Sequence, residues 1–368
     1  MTGEQAWRAA AIAPDGFEPF PLSRVGEDRV LLAGIHVPAV DLVAATLRRV
    51  VGEASRVVGS AVRDVRLVVP ASWGPRRCTW LRQAARRAGL AEVSLVVAPV
   101  AVVEHLLAAG EQFPVGAYLV VCDLGAGAEV TVLRRGPSGL EVLSTLEDPE
   151  AGGHRVDDLV VASLNGYLPG REVVGASAGG VRWQMLAAAR AGKESASAFA
   201  TVVVERPAPY GPMVLTAGQV EAVARPVLER AAKLTVEAVD AAELSLDQVS
   251  AVVLAGGGAT MPLAAQVVGE AVGRAPLVVA EPGTAAVRGA AQVGIVGEAV
   301  AGGGAASGGT GVPAFRRFAA LGVPALASVA LMVDFLSTKA RNGGEENSVY
   351  RYQFYRPGCG GSARGISR

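Results

Sequence analysis

The sequence predicts an α/β protein. Short β-branched apolar runs alternate with segments whose apolar residues recur at helical spacing, the pattern of a mostly parallel sheet covered by helices. Two of these runs end in glycine clusters, and a strand-helix-strand-helix unit occurs twice. With 368 residues the chain is long enough for one large or two ordinary domains. It is 51% apolar, contains 46 Gly, and balances 34 basic against 34 acidic residues. That zero net charge excludes the basic excess of a typical nucleic-acid-binding surface, so no nucleic-acid partner is expected. Only three of the basic residues are Lys (Lys193, Lys233 and Lys339), a skew that follows the Ala/Val/Gly richness and reads as genomic codon bias.

Residues 1–30 read as irregular, because Pro14, Gly16, Pro19 and Pro21 interrupt any regular element. From Pro38 to Gly59, Val40, Leu42, Val43, Leu47, Val50, Val51 and Val58 recur at helical spacing. Val65 to Val69, ended by Pro70, reads as a buried strand. Pro75 opens a helix closed by Gly89. Leu95 to Val97 forms the next strand, followed by Pro99 and a helix through Leu107. The order returns later, with a strand at Ala251–Leu254, a Gly256-Gly257-Gly258 loop and a helix from Pro262 to Val272. A strand at Leu277–Val279 and a helix from Pro282 through Val293 complete it. Leu95-Val96-Val97-Ala98-Pro99 and Leu277-Val278-Val279-Ala280-Glu281-Pro282 are alike, which reads as a weak internal duplication or as a chance match between Val-rich strands. Between the copies lie strands within Ala117–Leu133, a turn at Arg134-Arg135-Gly136, a strand at Leu140–Leu143 and a long helix at Glu221–Ala238.

Cys78, Cys122 and Cys359 are too widely spaced for a disulfide framework or a Cys-rich metal site, and Cys122 reads as a small core residue. Trp73 and Trp80 read as core packing. His36, His105 and His154 show no metal-ligand spacing, and Glu111, Asp157 and Asp158 show no evident partner. No apolar stretch behind a basic start marks a secretory signal at the N-terminus, so a cytoplasmic domain is expected. Ala301–Gly311, almost purely Gly, Ala and Ser, reads as a flexible linker. After Arg316-Arg317, Phe318–Val333 carries no charge, and an apolar helix extended to 336 would approach the ~30 Å of a bilayer core. It predicts either a single-pass inner-membrane anchor at 318–336 or a docked, partner-binding helix.

Two glycine clusters carry the chemistry. In Asp123-x-Gly125-x-Gly127, glycine backbone N–H groups can approach an anion, and a strand-end carboxylate can hold a hydrated Mg²⁺. The absence of Gly-Lys-Ser/Thr excludes a Walker loop, and Val130 at the third glycine position excludes a Rossmann fingerprint. Taken alone, the cluster also reads as a glycine-rich hairpin turn. Gly256-Gly257-Gly258 between a strand and a helix is either a tight connection or an anion site at a helix N-terminus.

The order of these motifs resembles the actin-like ATPase superfamily, and more narrowly the nucleotide-binding domain of the heat shock protein 70 family (DnaK-type chaperones). Leu67-Val68-Val69-Pro70-Ala71-Ser72-Trp73 resembles the family's strand ending in Val-Pro. Asp123-Leu124-Gly125-Ala126-Gly127-Ala128 is similar to Asp-Leu-Gly-Gly-Gly-Thr, and Ala151-Gly152-Gly153-His154-Arg155-Val156-Asp157 to Leu-Gly-Gly-x-x-x-Asp. Ala255 to Pro262 and Glu281 to Ala291 match the two closing motifs. The resemblance covers roughly residues 31 to 296. It implies a two-lobed, ribonuclease H-like fold whose first strands are missing, with a C-terminal apolar helix added. The expected divisions are an irregular segment at 1–30, a remnant of the first lobe at 31–112 and a second lobe with returning elements at 113–296. A linker at 297–313, the candidate transmembrane helix at 314–337 and a polar tail at 338–368 follow.

The resemblance also implies ATP or ADP with Mg²⁺ as cofactor. Gly125 and Gly127 would face phosphate, Asp123 would lie near the metal, and Gly153, Lys193, Ser197, Gly256, Gly257 and Gly258 would surround the nucleoside. Departures matter as much. The family's first phosphate loop is absent, and Ala98, Ala128, His154, Arg190 and Thr260 stand where it has functional side chains. A degenerate, chaperone-like scaffold with weak ATP binding is therefore expected, acting through protein partners. Relatives of this truncated kind occur in high-GC actinobacteria, some beside type VII secretion machinery. An active ATPase whose first strands are not included, or an α/β anion-binding domain without ATP, are the alternatives.

Overall fold

The structure is a computed structural model that describes residues 2–165, 178–208, 210–293 and 328–331. The N-terminal segment is not wholly irregular. Glu4–Ala10 forms a seven-residue helix (α1), before the prolines allow only 3-10 turns at Pro14–Gly16 and Pro21–Arg24. Next comes an antiparallel hairpin, Arg29–Leu32 (β1) and Ile35–Pro38 (β2). Its two-residue turn places Ala33 and Gly34 at φ 48° and 79°, the left-handed pair that matches strand twist.

Ala39–Val58 (α2) buries Val40, Val43, Leu47 and Val50 of the predicted stripe, while Val58 at its end is exposed, and Gly59 ends it at φ 76°. Asp64–Val69 (β3) turns Val65, Leu67 and Val69 inward against α2 and Pro75–Arg87 (α3), whose Leu81, Ala84 and Ala85 complete one core. Trp73 and Trp80 pack on this core, as expected. Ser94–Val97 (β4) pairs parallel with β3, and Ala98–Ala108 (α4) follows.

Tyr118–Leu124 (β5), Ala128–Gly136 (β6) and Gly139–Asp148 (β7) form the centre and one edge of the main sheet. Gly153–Asn165 (α5), Ala178–Ala196 (α6), a hairpin of Thr201–Val204 (β8) and Met213–Thr216 (β9), and Ala217–Ala241 (α7) come next. A capping box between Thr216 and Gln219 starts α7 four residues before the predicted helix. Val249–Ala255 (β10), Pro262–Val272 (α8), Leu277–Val278 (β11) and Ala285–Gln292 (α9) complete the returning unit.

The sheet runs β11-β10-β5-β6-β7. It is mixed rather than mostly parallel: β11, β10 and β5 are parallel, while β6 and β7 are antiparallel. A short loop after Leu124 permits only a hairpin, since a parallel return needs a crossover. Alternation along β5 sends Val120, Cys122 and Leu124 to one face, beneath α5, α7 and α8. Leu119 and Val121 point to the other, beneath α4 and α9. Cys122 is fully buried, and burial pushes its thiol up to about 12. The two similar units are both parallel strand pairs with intervening helices. Their last helices, α4 and α9, meet so closely that a Cβ on Gly289 would lie 2.5 Å from the Ala101 carbonyl carbon.

The C-terminal expectation changes where the structure reaches it. Ser328–Leu331 (β12) is a strand, parallel to β3 from Ser328↔Asp64 to Leu331↔Leu67, not part of an apolar helix. Pairing along β3 satisfies its backbone groups without helical bonds. The linker, the tail and the rest of 314–337 lie outside the described residues. Among the described residues, no helix is long and apolar enough to cross a membrane.

Candidate functional site

Parallel pairing of β5 with β10 sets Asp123 beside Ala255 at the carboxyl ends of both strands. The loops that follow, residues 125–127 and 256–258, therefore emerge side by side, where open α/β sheets bind ligands. Gly256 has φ 80°, and a Cβ there would strike Asp123 Oδ1 and sit 2.6 Å from the Leu124 carbonyl oxygen. A Cβ on Gly258 would lie 2.8 Å from the same oxygen. Gly257 begins the 3-10 turn that leads to α8, and its carbonyl accepts a 2.7 Å hydrogen bond from Thr260 Oγ1.

A third pair of glycines closes on this place. The Gly153 N–H donates to the Gly125 carbonyl at 2.9 Å, and the His154 N–H to that of Ala126 at 3.0 Å. A Cβ on Gly152 would lie 2.5 Å from the Gly127 carbonyl carbon, and one on Gly127 2.8 Å from Pro149 Cα. Gly125 is more open: a Cβ there would meet no atom nearer than 3.9 Å.

Lys193 reaches the site from α6. Its Nζ lies 2.6 Å from Asp157 Oδ1 on α5 and donates to the Gly153 carbonyl at 3.2 Å. The pair is buried, with side chains 12% and 5% exposed. Burial raises the Asp157 pKa, against the opposing pull of Lys193. His154 is driven down to about 4 by burial, then by Arg190 and Lys193, with Asp158 acting the other way. Burial also raises Glu194, which holds Arg190 at 3.0 Å.

Asp123, Gly125, Gly127, Gly153, Lys193, Gly256, Gly257 and Gly258 thus gather around the ends of β5 and β10. Ser197 stands one turn beyond Lys193, donating to its carbonyl at 3.3 Å, and lines a neighbouring cavity of about 230 Å³ with Phe199, Met261 and Leu263. Among the described residues, no group of three or more His, Cys, Asp or Glu could hold a metal. Asp123 therefore has no ready-made protein cage around it, and Mg²⁺ commonly needs only one or two carboxylates when phosphates and waters complete its shell.

Three participants are not evident from the sequence. Asp157, which shows no partner there, is the ion-pair partner of Lys193; its place one helical turn after Gly153 is the available signal. Phe20 stacks on His154 with ring centroids 3.9 Å apart, a contact without local sequence signature. Glu129 accepts the Ala71 and Ser72 N–H groups at 2.9 and 3.0 Å, tying the loop after β3 to β6.

The family model described as Hsp70 protein matches residues 29–302. Chaperone protein HscA homolog of Acidithiobacillus ferrooxidans is 31% identical over 274 residues, 72% of this chain and 43% of that protein. Chaperone protein dnaK3 of Thermosynechococcus vestitus is 30% identical over 268 residues (70% and 39%). Chaperone protein HscA of Yersinia pseudotuberculosis is 29% identical over 277 residues (74% and 41%). The chain spans less than half the length of these curated relatives. The motif order, the converging glycine loops and the match over residues 29–302 agree: the chain belongs to the Hsp70 family.

Proposed function

We propose that the chain is an Hsp70-type nucleotide-binding domain that binds ATP or ADP weakly, turns ATP over slowly or not at all, and serves as a scaffold for other proteins. The observation that carries this reading is the convergence of three glycine loops at the ends of β5 and β10, with Lys193 already held by Asp157. Gly125 and Gly127 would offer backbone to phosphate, Asp123 would face a Mg²⁺, and Gly256 to Gly258 with Ser197 would border the nucleoside. When bound, the nucleotide would supply a phosphoanhydride and the metal would offset its charge.

The same residues argue for weakness. The Gly153 N–H is spent on the Gly125 carbonyl, and the Lys193 ammonium on a buried carboxylate. The side chains of Ala98 and Ala128 carry no polar atom with which to orient water or phosphate. Each lost electrostatic group commonly costs about 3 kcal/mol of barrier, so phosphoryl transfer is expected to be slow. HscA homolog of Acidithiobacillus ferrooxidans and dnaK3 of Thermosynechococcus vestitus are chaperones by name, which supports a role for this chain alongside other proteins.

Thermal unfolding with Mg-ATP tests the proposal. Saturable stabilisation with a midpoint weaker than about 100 µM, absent in Gly257→Val and without phosphate release above background, is expected. Tighter binding accompanied by turnover would overturn the scaffold reading in favour of an active ATPase. A melting temperature indifferent to Mg-ATP would overturn nucleotide binding.

A further inference from the structure

Helix α3 carries a concentrated positive charge in a chain whose net charge is zero. Its 13 residues include Arg76, Arg77, Arg82, Arg86 and Arg87 and no acidic residue. Leu81, Ala84 and Ala85 face the core, and Trp80 packs on it. Helical periodicity therefore turns Arg82 and Arg86, with Thr79 and Gln83, to the opposite side. Arg76, Arg77 and Arg86 are exposed, and Arg82 is half-buried.

The local structure gains nothing from these charges. Arg82 and Arg86 are like charges one turn apart, which disfavours a helix. Arg76 and Arg77 stand in the first turn, where the helix dipole favours acidic groups, and Gly74 supplies no side-chain cap. Among the described residues, Arg76, Arg77, Arg82 and Arg86 have no carboxylate partner. Arginines elsewhere do: Arg56 pairs with Glu53, Arg155 with Glu150, Arg230 with Asp148 and Arg288 with Glu281. Arg87 is spent within the fold, bonding Asp41 of α2 at 2.7 Å while its carbonyl accepts from Arg48 at 2.8 Å. These bonds fix α3 on α2, which mixes Asp41 and Glu53 with Arg48 and Arg56. The unpaired positive strip is thus one helix wide, and 13 residues make it about 20 Å long.

We propose that the exposed arginine strip of α3 docks an acidic segment of a partner protein. Guanidinium forks take carboxylates in pairs of parallel hydrogen bonds, and a single acidic helix or extended segment matches the width of the strip. A duplex or a bilayer would need a broader basic face, and zero net charge gives neither a long-range pull. The proposal rests on the scaffold reading given above and names its partner's chemistry; it does not depend on nucleotide.

The test titrates fluorescein-labelled decaglutamate into the full chain and into three double variants, read by fluorescence anisotropy. Arg82→Gln with Arg86→Gln, and Arg76→Gln with Arg77→Gln, each remove half of the strip, so a folding defect in one leaves the other informative. Arg29→Gln with Arg134→Gln removes two exposed arginines from β1 and β6 as the control. The full chain and the control are expected to bind alike, and both α3 variants at least about tenfold more weakly. Binding should also weaken steadily as salt rises from about 50 to 300 mM. Equal affinity in all four proteins, or no binding by the full chain, would overturn the docking strip. So would stronger binding to phosphatidylserine vesicles or to duplex DNA than to the peptide. Phosphate release from Mg-ATP, measured on the same samples, is what overturns the scaffold reading, so the two can fail separately.

Discussion

Lys193→Met is expected to lower the unfolding free energy by about 3–5 kcal/mol at neutral pH, because it leaves the Asp157 carboxylate buried without its cation. Desolvation already raises the Asp157 pKa above its ordinary value, and removing Lys193 removes the largest opposing influence. A carboxyl whose folded pKa lies above its unfolded value binds more protons in the folded state. Stability therefore falls as pH rises through that interval and recovers as pH falls toward the unfolded value. Urea unfolding of the variant and the parent between pH 4 and pH 8 should show the deficit largest at the alkaline end. Lys193→Met, Asp157→Leu together should recover much of the loss, since a buried ion pair replaced by apolar groups is often neutral. A single variant as stable as the parent at every pH would show that the pair is not closed in solution.

Gly256→Ala is expected to be nearly as costly. The position combines φ 80° with a Cβ site that overlaps Asp123 Oδ1 and the Leu124 carbonyl. The left-handed backbone alone costs an alanine about 1–2 kcal/mol, and forced overpacking adds about 1–3 kcal/mol. The strain falls on the register that sets Asp123 beside Ala255, so the loops should separate. Calorimetry should find a lower melting temperature together with loss of Mg-ATP binding. Gly125→Ala, where the nearest atoms lie 3.9 Å away, should fold normally. Equal stability of Gly256→Ala and Gly125→Ala would contradict the close approach of the loops.

Those loops are legible in the sequence because each glycine cluster directly ends a run of buried apolar residues, a signal contained within a few positions. Asp157 is half legible. Its spacing from Gly153 belongs to a motif, but its partner lies on another helix, and sequence separation hides an ion pair between helices. The mixed sheet is implicit in the short link between Leu124 and Ala128, which forces β6 antiparallel. Phe20 on His154 is not: stacking of two distant rings depends on where the 3-10 turns steer the chain. Ser328–Leu331 shows a different limit. A short apolar run is compatible with helix or strand, and the decision rests with the available edge of β3.

If the loops at 125–127, 152–154 and 256–258 act together as a nucleotide cradle of low affinity, one ligand must order all three at once. Amide hydrogen exchange across a Mg-ATP titration of the full chain reads this out loop by loop. Saturable protection is expected at all three loops with one common midpoint in the high-micromolar to millimolar range (about 0.1–5 mM), and none with Mg²⁺ alone. Protection confined elsewhere, or unchanged exchange at all three loops in about 10 mM Mg-ATP, would contradict a shared cradle.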